Sequence, residues 1–315
     1  MRSISLLAPA KINLYLEIIG DAGGGYHELA MVFQSIDLAD RVDLRTIGID
    51  DFRIRCDAKE VPLDNTNLAY KAAALMAKQF PKAFAQYGGA EITIEKHIPV
   101  AAGLAGGSAN AAAVLVGLDM LWQLGQTVPE LQQLGAKLGA DVPFCISGGT
   151  ALGTGRGDQL EPLPDVDNLY VVLAKYRNLQ VSTAWAYQTY RQQFGSTYAA
   201  APEQLRHRRE RLHSGPMVGA IARKDSHKIA QLLHNDLEKV VLPAHPPVAR
   251  LRAAFAAEKG VLGTMMSGSG PTVFALTSDL SSAEAVRQQV QTTLNDPDLG
   301  FWVAKCLPNG IQLSR

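Results

Sequence analysis

A glycine-rich turn that runs into an alanine-rich apolar stretch, Ile98 to Ala112 (IPVAAGLAGGSANAA), constrains this chain more than any other part of its 315 residues. Gly103, Gly106 and Gly107 permit backbone angles closed to other residues, and Ser108 can cap the buried helix expected over Ser108 to Leu124. A loop of this kind aims several backbone N–H groups from the positive end of a helix, which makes a cradle for phosphates. The plainer alternative is a tight strand-to-helix turn. Three familiar phosphate or nucleophile motifs fail here. No GxxxxGK[ST] occurs, the loop lacks GxGxxG, and Asn110 stands where GxSxG would need its last glycine. A phosphate loop of another lineage is expected.

Any anion site must be local, because 30 Lys and Arg balance 30 Asp and Glu, leaving no bulk field for nucleic acid or a membrane surface. With 47% hydrophobic and 19% charged residues, the composition is that of a globular protein. The length suggests two domains, 1–165 and 166–315, sharing a cleft. Cys56, Cys145 and Cys306 have no CxxC spacing, so neither disulfides nor zinc are expected, and a reducing, cytoplasmic setting fits. The opening MRSISLLAPAKINL reads as neither secretory signal nor anchor, and the apolar run Ala111 to Leu118 is too short to span a bilayer.

The patterning predicts strands at Ile4 to Leu7, Ile12 to Ile19, Arg41 to Ile47, Phe52 to Cys56 and Glu91 to Glu95, with a turn at Gly23 to Gly25. Helices are expected over Asn67 to Phe80 and over Glu130 to Leu138, the second capped by Gly139. A strand pair around Ile146 to Leu152 follows, then a strand at Leu169 to Ala174. Amphipathic helices are expected over Ile229 to Val240 and Pro247 to Glu258, and Val261 to Leu276 reads as two strands around a glycine turn. The basic run Gln204 to His213 reads as a solvated helix face.

Two charges stand out in apolar contexts. Asp141, in LGADVPF, sits at the edge of apolar structure and needs a partner, and so does the strand-borne Lys11 between Ala10 and Ile12. Pairing them would satisfy both. It would also supply what a kinase needs: a carboxylate to accept or orient a hydroxyl proton, and a cation to stabilise developing charge. Met266 to Phe274 (MSGSGPTVF) is either a second wall of a phosphate site or only a turn.

In this order, PAKINL, GLAGGSANAA, LGADVPF and SGSGPT resemble the signature motifs of the GHMP kinase superfamily. Gly25-Tyr26-His27-Glu28-Leu29 and Gly155-Arg156-Gly157-Asp158 are similar to elements of one branch, the cytidyl-methylerythritol kinases of the non-mevalonate isoprenoid pathway. The resemblance implies an α/β (α+β) GHMP kinase fold, with an N-terminal ribosomal protein S5 domain 2-like unit and a C-terminal ferredoxin-like unit. It implies transfer of phosphate from ATP, with Mg2+, to the 2-hydroxyl of 4-diphosphocytidyl-2-C-methyl-D-erythritol. By the same resemblance Asp141 is the catalytic base and Lys11 its partner. Pro99, Gly103, Leu104, Ala105, Gly106, Gly107 and Ser108 hold ATP, with Ser108 a candidate metal contact. Asn65 and Lys96 are candidates for adenosine. Asn13, on the same strand face as Lys11, approaches the substrate, Tyr26 and His27 match a cytosine-binding pair, and Tyr187 is a candidate for the far side of the base. Ala105 and Ala109 replace a glycine and a serine of the usual loop. Alternatives are a GHMP kinase for homoserine, mevalonate, phosphomevalonate or a sugar, and a silent nucleotide sensor; a monomer or homodimer is expected.

Overall fold

The computed structural model describes residues 2–199 and 201–314. Its first two strands, β1 (Ser3–Gly23) and β2 (Tyr26–Thr46), make a long antiparallel hairpin. The hairpin reverses at Gly23, Gly24 and Gly25, all at positive φ, where a Cβ would be strained. Then come β3 (Arg53–Cys56), α1 (Leu68–Gln79), α2 (Pro81–Tyr87), β4 (Ala90–Glu95), α3 (Gly106–Trp122), α4 (Val128–Ala136) and α5 (Val142–Ser147). The hairpin β5 (Thr150–Gly155) and β6 (Gln159–Pro162) precedes β7 (Tyr170–Tyr176), α6 (Thr183–Phe194), α7 (Pro202–His213), α8 (Pro216–Ala222) and α9 (Ser226–Gln231). The chain closes with β8 (His234–Asn235), α10 (Glu238–Ala244), α11 (Pro246–Ala257), β9 (Gly263–Met266), β10 (Val273–Thr277), α12 (Leu280–Leu294), β11 (Leu299–Leu307) and β12 (Gln312–Leu313).

The strands run in the order β12-β1-β2-β11-β7-β10-β9, and β2 also pairs with β4 and β5. A mixed α/β architecture follows. Helix α3 is buried on nearly every side because its small residues let neighbours approach. Ala109, Ala111, Ala112 and Ala113 are fully covered, and a Cβ on Gly117 would stand 2.2 Å from Leu44 Cδ1. Its larger side chains, Val114, Leu115, Leu118 and Trp122, pack with Ala72 and Met76 of α1 and with Leu6, Leu44 and Ile92 of the sheet. Each such side chain contributes roughly 1.5–3 kcal/mol on burial, which fixes the loop at the N-terminal end of this helix to a rigid base.

Three local expectations are corrected. The helix expected to end at Gly139 ends at Ala136; Leu138 and Gly139 N–H both turn back to the Gly135 carbonyl, and Gly139 is not in the left-handed region. Ile146 lies in α5, because Gly148 and Gly149, both at positive φ, delay the strand to Thr150. Ile229 to Val240 is no single helix. Asn235 donates to the Met266 and Gly268 carbonyls, and Asp236 accepts from Ile18 N–H, so side-chain bonds to backbone outcompete the helical period and interpose β8 beside β1.

Candidate active site

Lys11 is nearly buried on β1, and its ammonium donates to Asn13 Oδ1 at 2.8 Å. Asp141 Oδ1 lies 3.6 Å from the same nitrogen, and the Phe33 ring passes 5.2 Å beneath it. The pairing expected from sequence is therefore present. A register shift between Asn13 and Tyr15 marks a β-bulge, which re-aims the strand so that Lys11, Asn13 and then Leu16 line the cleft. Asp141 occupies the N-cap position of α5 in a helical conformation and makes no cap hydrogen bond. Its carboxylate, one-third exposed, is thus left to face Lys11 and the cleft.

The glycine loop crosses directly over β1, where Lys11 N–H donates to the Leu104 carbonyl. Leu104 itself is buried beneath the loop, whereas Pro99, Gly103, Ala105, Gly106, Gly107 and Ser108 line the cleft. Gly103, at φ +73°, has no room for a side chain, since a Cβ would lie 2.4 Å from the Ser267 carbonyl oxygen. Ser267 Oγ donates back to the Gly103 carbonyl at 3.0 Å. The Met266 to Phe274 turn is therefore a wall packed on the loop rather than a detached turn, and Gly268 and Ser269 reach the cleft. Ser108 does not cap α3. The helix starts at Gly106 behind a left-handed Ala105, so Ser108 stands inside the first turn. That placement leaves the early amides of α3 facing the cleft without a side-chain cap, as an anion site requires.

Tyr26, His27 and Tyr187 line the same cleft. Tyr26 is 56% exposed with the Arg156 guanidinium 5.1 Å from its ring centre. His27 is buried, and its ring lies 5.0 Å from that of Tyr187, tilted by 37°. His27 Nε2 is buried without a hydrogen-bond partner, a cost that a ligand's polar edge would remove. Burial, and then the nearby Arg191 cation, hold the His27 pKa below its usual value, which keeps the ring neutral. Burial, followed by the Asp141 charge, pushes the Tyr187 phenol up, so it remains a neutral donor.

Lys96 lines the cleft with its ammonium on Asp40, while Asn65 is exposed and outside the lining residues. Its neighbour Asn67, which caps α1 by accepting from Ala69 N–H, reaches the cleft instead. Sequence reasoning passed over Asn67 and Asp40. No local signal marked Asp40, which stands among the charges Asp37, Arg41 and Asp43 in IDLADRVD. Among the described residues no three His, Cys, Asp or Glu side chains converge to hold a metal by themselves. The Ser108 hydroxyl and Asp141 carboxylate are hard oxygen donors on the cleft, and they fit a Mg2+ ion that takes most of its ligands from phosphates and water. The cleft encloses about 1280 Å³, large enough for a nucleotide and a second substrate together.

Known proteins share both the sequence and the fold of this chain. Residues 67–149 match the GHMP kinases N terminal domain and residues 217–296 the GHMP kinases C terminal domain. The 4-diphosphocytidyl-2-C-methyl-D-erythritol kinase of Trichodesmium erythraeum (strain IMS101) is 62% identical over 315 residues, covering 100% of both chains. A crystal structure of 4-(cytidine 5'-diphospho)-2C-methyl-D-erythritol kinase superposes with a TM-score of 0.73 at 29% identity, over 96% of this chain and 99% of that one. A homoserine kinase from Cytophaga hutchinsonii gives the same TM-score at 21% identity, over 100% of this chain and 98% of that one, a likeness of fold alone.

Proposed function

We infer, from the membership of this chain in the 4-diphosphocytidyl-2-C-methyl-D-erythritol kinase family of GHMP kinases, that it transfers the γ-phosphoryl group of ATP to the 2-hydroxyl of 4-diphosphocytidyl-2-C-methyl-D-erythritol. The products are the 2-phosphate and ADP, and the reaction serves isoprenoid precursor synthesis. The observation that carries this reading is one cleft lined by the Lys11–Asp141 pair, the glycine loop, and Tyr26 and His27.

The chemistry follows from the residues. The amides of Gly103 to Gly107 and the Ser108 hydroxyl hold the ATP phosphates, backed by Pro99 and the buried Leu104. Asp141 orients the acceptor hydroxyl and takes its proton as the new O–P bond forms and the bond to the ADP oxygen breaks. Lys11 stabilises the charge that develops, and its bond to Asn13 fixes the direction of its ammonium. The Ser108 hydroxyl would hold Mg2+ together with the ATP phosphates, and the ion would supply positive charge against the polyphosphate. Asn13 approaches the substrate hydroxyls, Tyr26 stacks on the cytosine with Tyr187 on the far side of the base, and His27 reads its polar edge.

We propose the division into 1–165 and 166–315 for the two units, supported by the irregular stretch between Pro162 and Tyr170. A cytoplasmic monomer or homodimer is part of the same reading; among the described residues no helix is long and apolar enough to cross a membrane. The test is ADP release from ATP and Mg2+ with the cytidyl compound, mevalonate, homoserine and galactose offered separately. Release with the cytidyl compound alone is expected. Release only with another acceptor overturns the substrate, and ATP binding without ADP release under any condition turns the reading to a silent sensor.

A further inference from the structure

Asp40, on β2, is completely buried, and four donors close on its carboxylate. Its Oδ1 accepts from His97 N–H and Ile98 N–H, both at 2.8 Å. Its Oδ2 accepts from the Lys96 ammonium and from Asn110 Nδ2, the latter at 2.8 Å. One carboxylate thus ties the entry to the glycine loop, the second turn of α3 and a cleft-lining cation to the central hairpin. Both Lys96 and Asn110 line the cleft.

Stability alone does not account for such a group, because a buried ion pair is often matched or bettered by apolar packing. Its place does. The Lys96 ammonium lies close to the first residue of α3, since a Cβ on Gly106 would stand 3.0 Å from Nζ. The N-terminal end of a helix is positive and repels a cation, and a lysine left to itself extends its ammonium into water. Asp40 overcomes both tendencies. It holds the ammonium beside the exposed amides, so that two positive groups converge on one spot and an anionic ligand meets both.

We propose that Asp40 is a positioning residue of the nucleotide wall, acting through Lys96 to set ATP affinity without touching ATP. The proposal rests on the reading that the glycine loop holds ATP. Equilibrium binding of ATP to wild type, Asp40→Asn, Lys96→Gln and the double variant tests it, beside KM values for the cytidyl acceptor. Each single change should raise the ATP Kd about tenfold, the loss of one charge-assisted contact, and leave the acceptor KM within about twofold. The double variant should be no worse than the weaker-binding single variant, because the two residues act as one unit. An unchanged ATP Kd in Asp40→Asn, an equal loss for ATP and acceptor, or multiplying effects in the double variant overturns the proposal. If Asp40→Asn does not fold, Lys96→Gln keeps a donor for Asp40 and decides alone: an unchanged ATP Kd there also overturns it. ATP binding is read without an acceptor, so a wrong substrate leaves this result standing, whereas wild type that binds no ATP refutes the phosphate-loop reading itself.

Discussion

Replacing the loop glycines one at a time with alanine should give a steep and ordered series, because the structure offers each added methyl group different surroundings. At Gly103 the Cβ would meet the Ser267 carbonyl oxygen at 2.4 Å and the Gly270 carbonyl oxygen at 3.0 Å, with φ at +73°. Holding alanine in the left-handed region costs about 1–2 kcal/mol. The Ser267 carbonyl must also retreat by roughly 1 Å to regain an ordinary contact. That movement strains the Ser267 Oγ to Gly103 carbonyl bond, worth about 1 kcal/mol. The sum is about 2–3 kcal/mol of stability, a large value for one methyl group. A shift of about 1 Å in the loop should further lower kcat/KM for ATP by about a hundredfold. At Gly106 the obstacles are the ends of side chains, Lys96 Nζ at 3.0 Å and Ile98 Cγ2 at 3.1 Å, so the effect should be intermediate. At Gly107 the nearest atom is Leu68 Cδ1 at 3.8 Å inside a helical turn, and alanine should stabilise by about 0.5–1 kcal/mol. Denaturant unfolding and steady-state kinetics on the three variants read the series. Gly103→Ala with wild-type stability and kcat/KM, or Gly107→Ala as the most damaging change, would refute the packing of the loop on the Ser267 turn.

Asp141→Asn should cut turnover by about 10²–10⁴ while ATP binding stays within about twofold, and survival of near-normal kcat would remove Asp141 from the reaction. Tyr26→Ala should raise the KM of the cytidyl acceptor about tenfold through lost stacking and leave that of ATP unchanged, as initial rates with each substrate varied will tell. His27 adds a pH dependence whose sign is fixed by its lowered pKa. Below about pH 6.5 the unfolded chain binds a proton that the folded ring resists, so stability falls as pH drops through that range and is restored above it. Unfolding midpoints between about pH 5 and 7 should slope less steeply in His27→Gln than in wild type, and parallel slopes would contradict the buried, neutral ring.

The parts of this site that sequence made legible are those where residue chemistry is at odds with its setting. Lys11 in an apolar strand and Asp141 before an apolar helix each demanded a partner, and they lie 3.6 Å apart. The glycine pattern likewise announced a loop that backbone must approach closely. What stayed hidden depends on contacts distant in sequence. Nothing local to Asn235 reveals that its amide serves the Met266 and Gly268 carbonyls, so the period of Ile229 to Val240 misleads. Asn65 and Asn67 are alike in type, and only the direction of the turn before α1 sends the second to the cleft. Ser108 has the chemistry of a cap, but the left-handed turn at Ala105 starts the helix before it.

The strand β2 is where the pieces meet, and its partners come from the whole length of the chain: β1 beside it, β5 at Leu29 to Gln34, β4 at Arg41 to Thr46, and β11 at Ser35 and Ile36. Gln34, fully buried there, donates to the Leu307 carbonyl and accepts from Thr150 Oγ1, while β12 lies along β1 at Leu6 and Leu7. Because β11 and β12 follow every other element, the first hairpin cannot acquire all its neighbours until these segments emerge from the ribosome. Long-range pairing of this sort folds slowly and leaves edges open in the interval. A nascent chain halted before Leu299 would carry Lys11 on an unfinished sheet, exposed to association with other chains and dependent on chaperones until the late strands arrive.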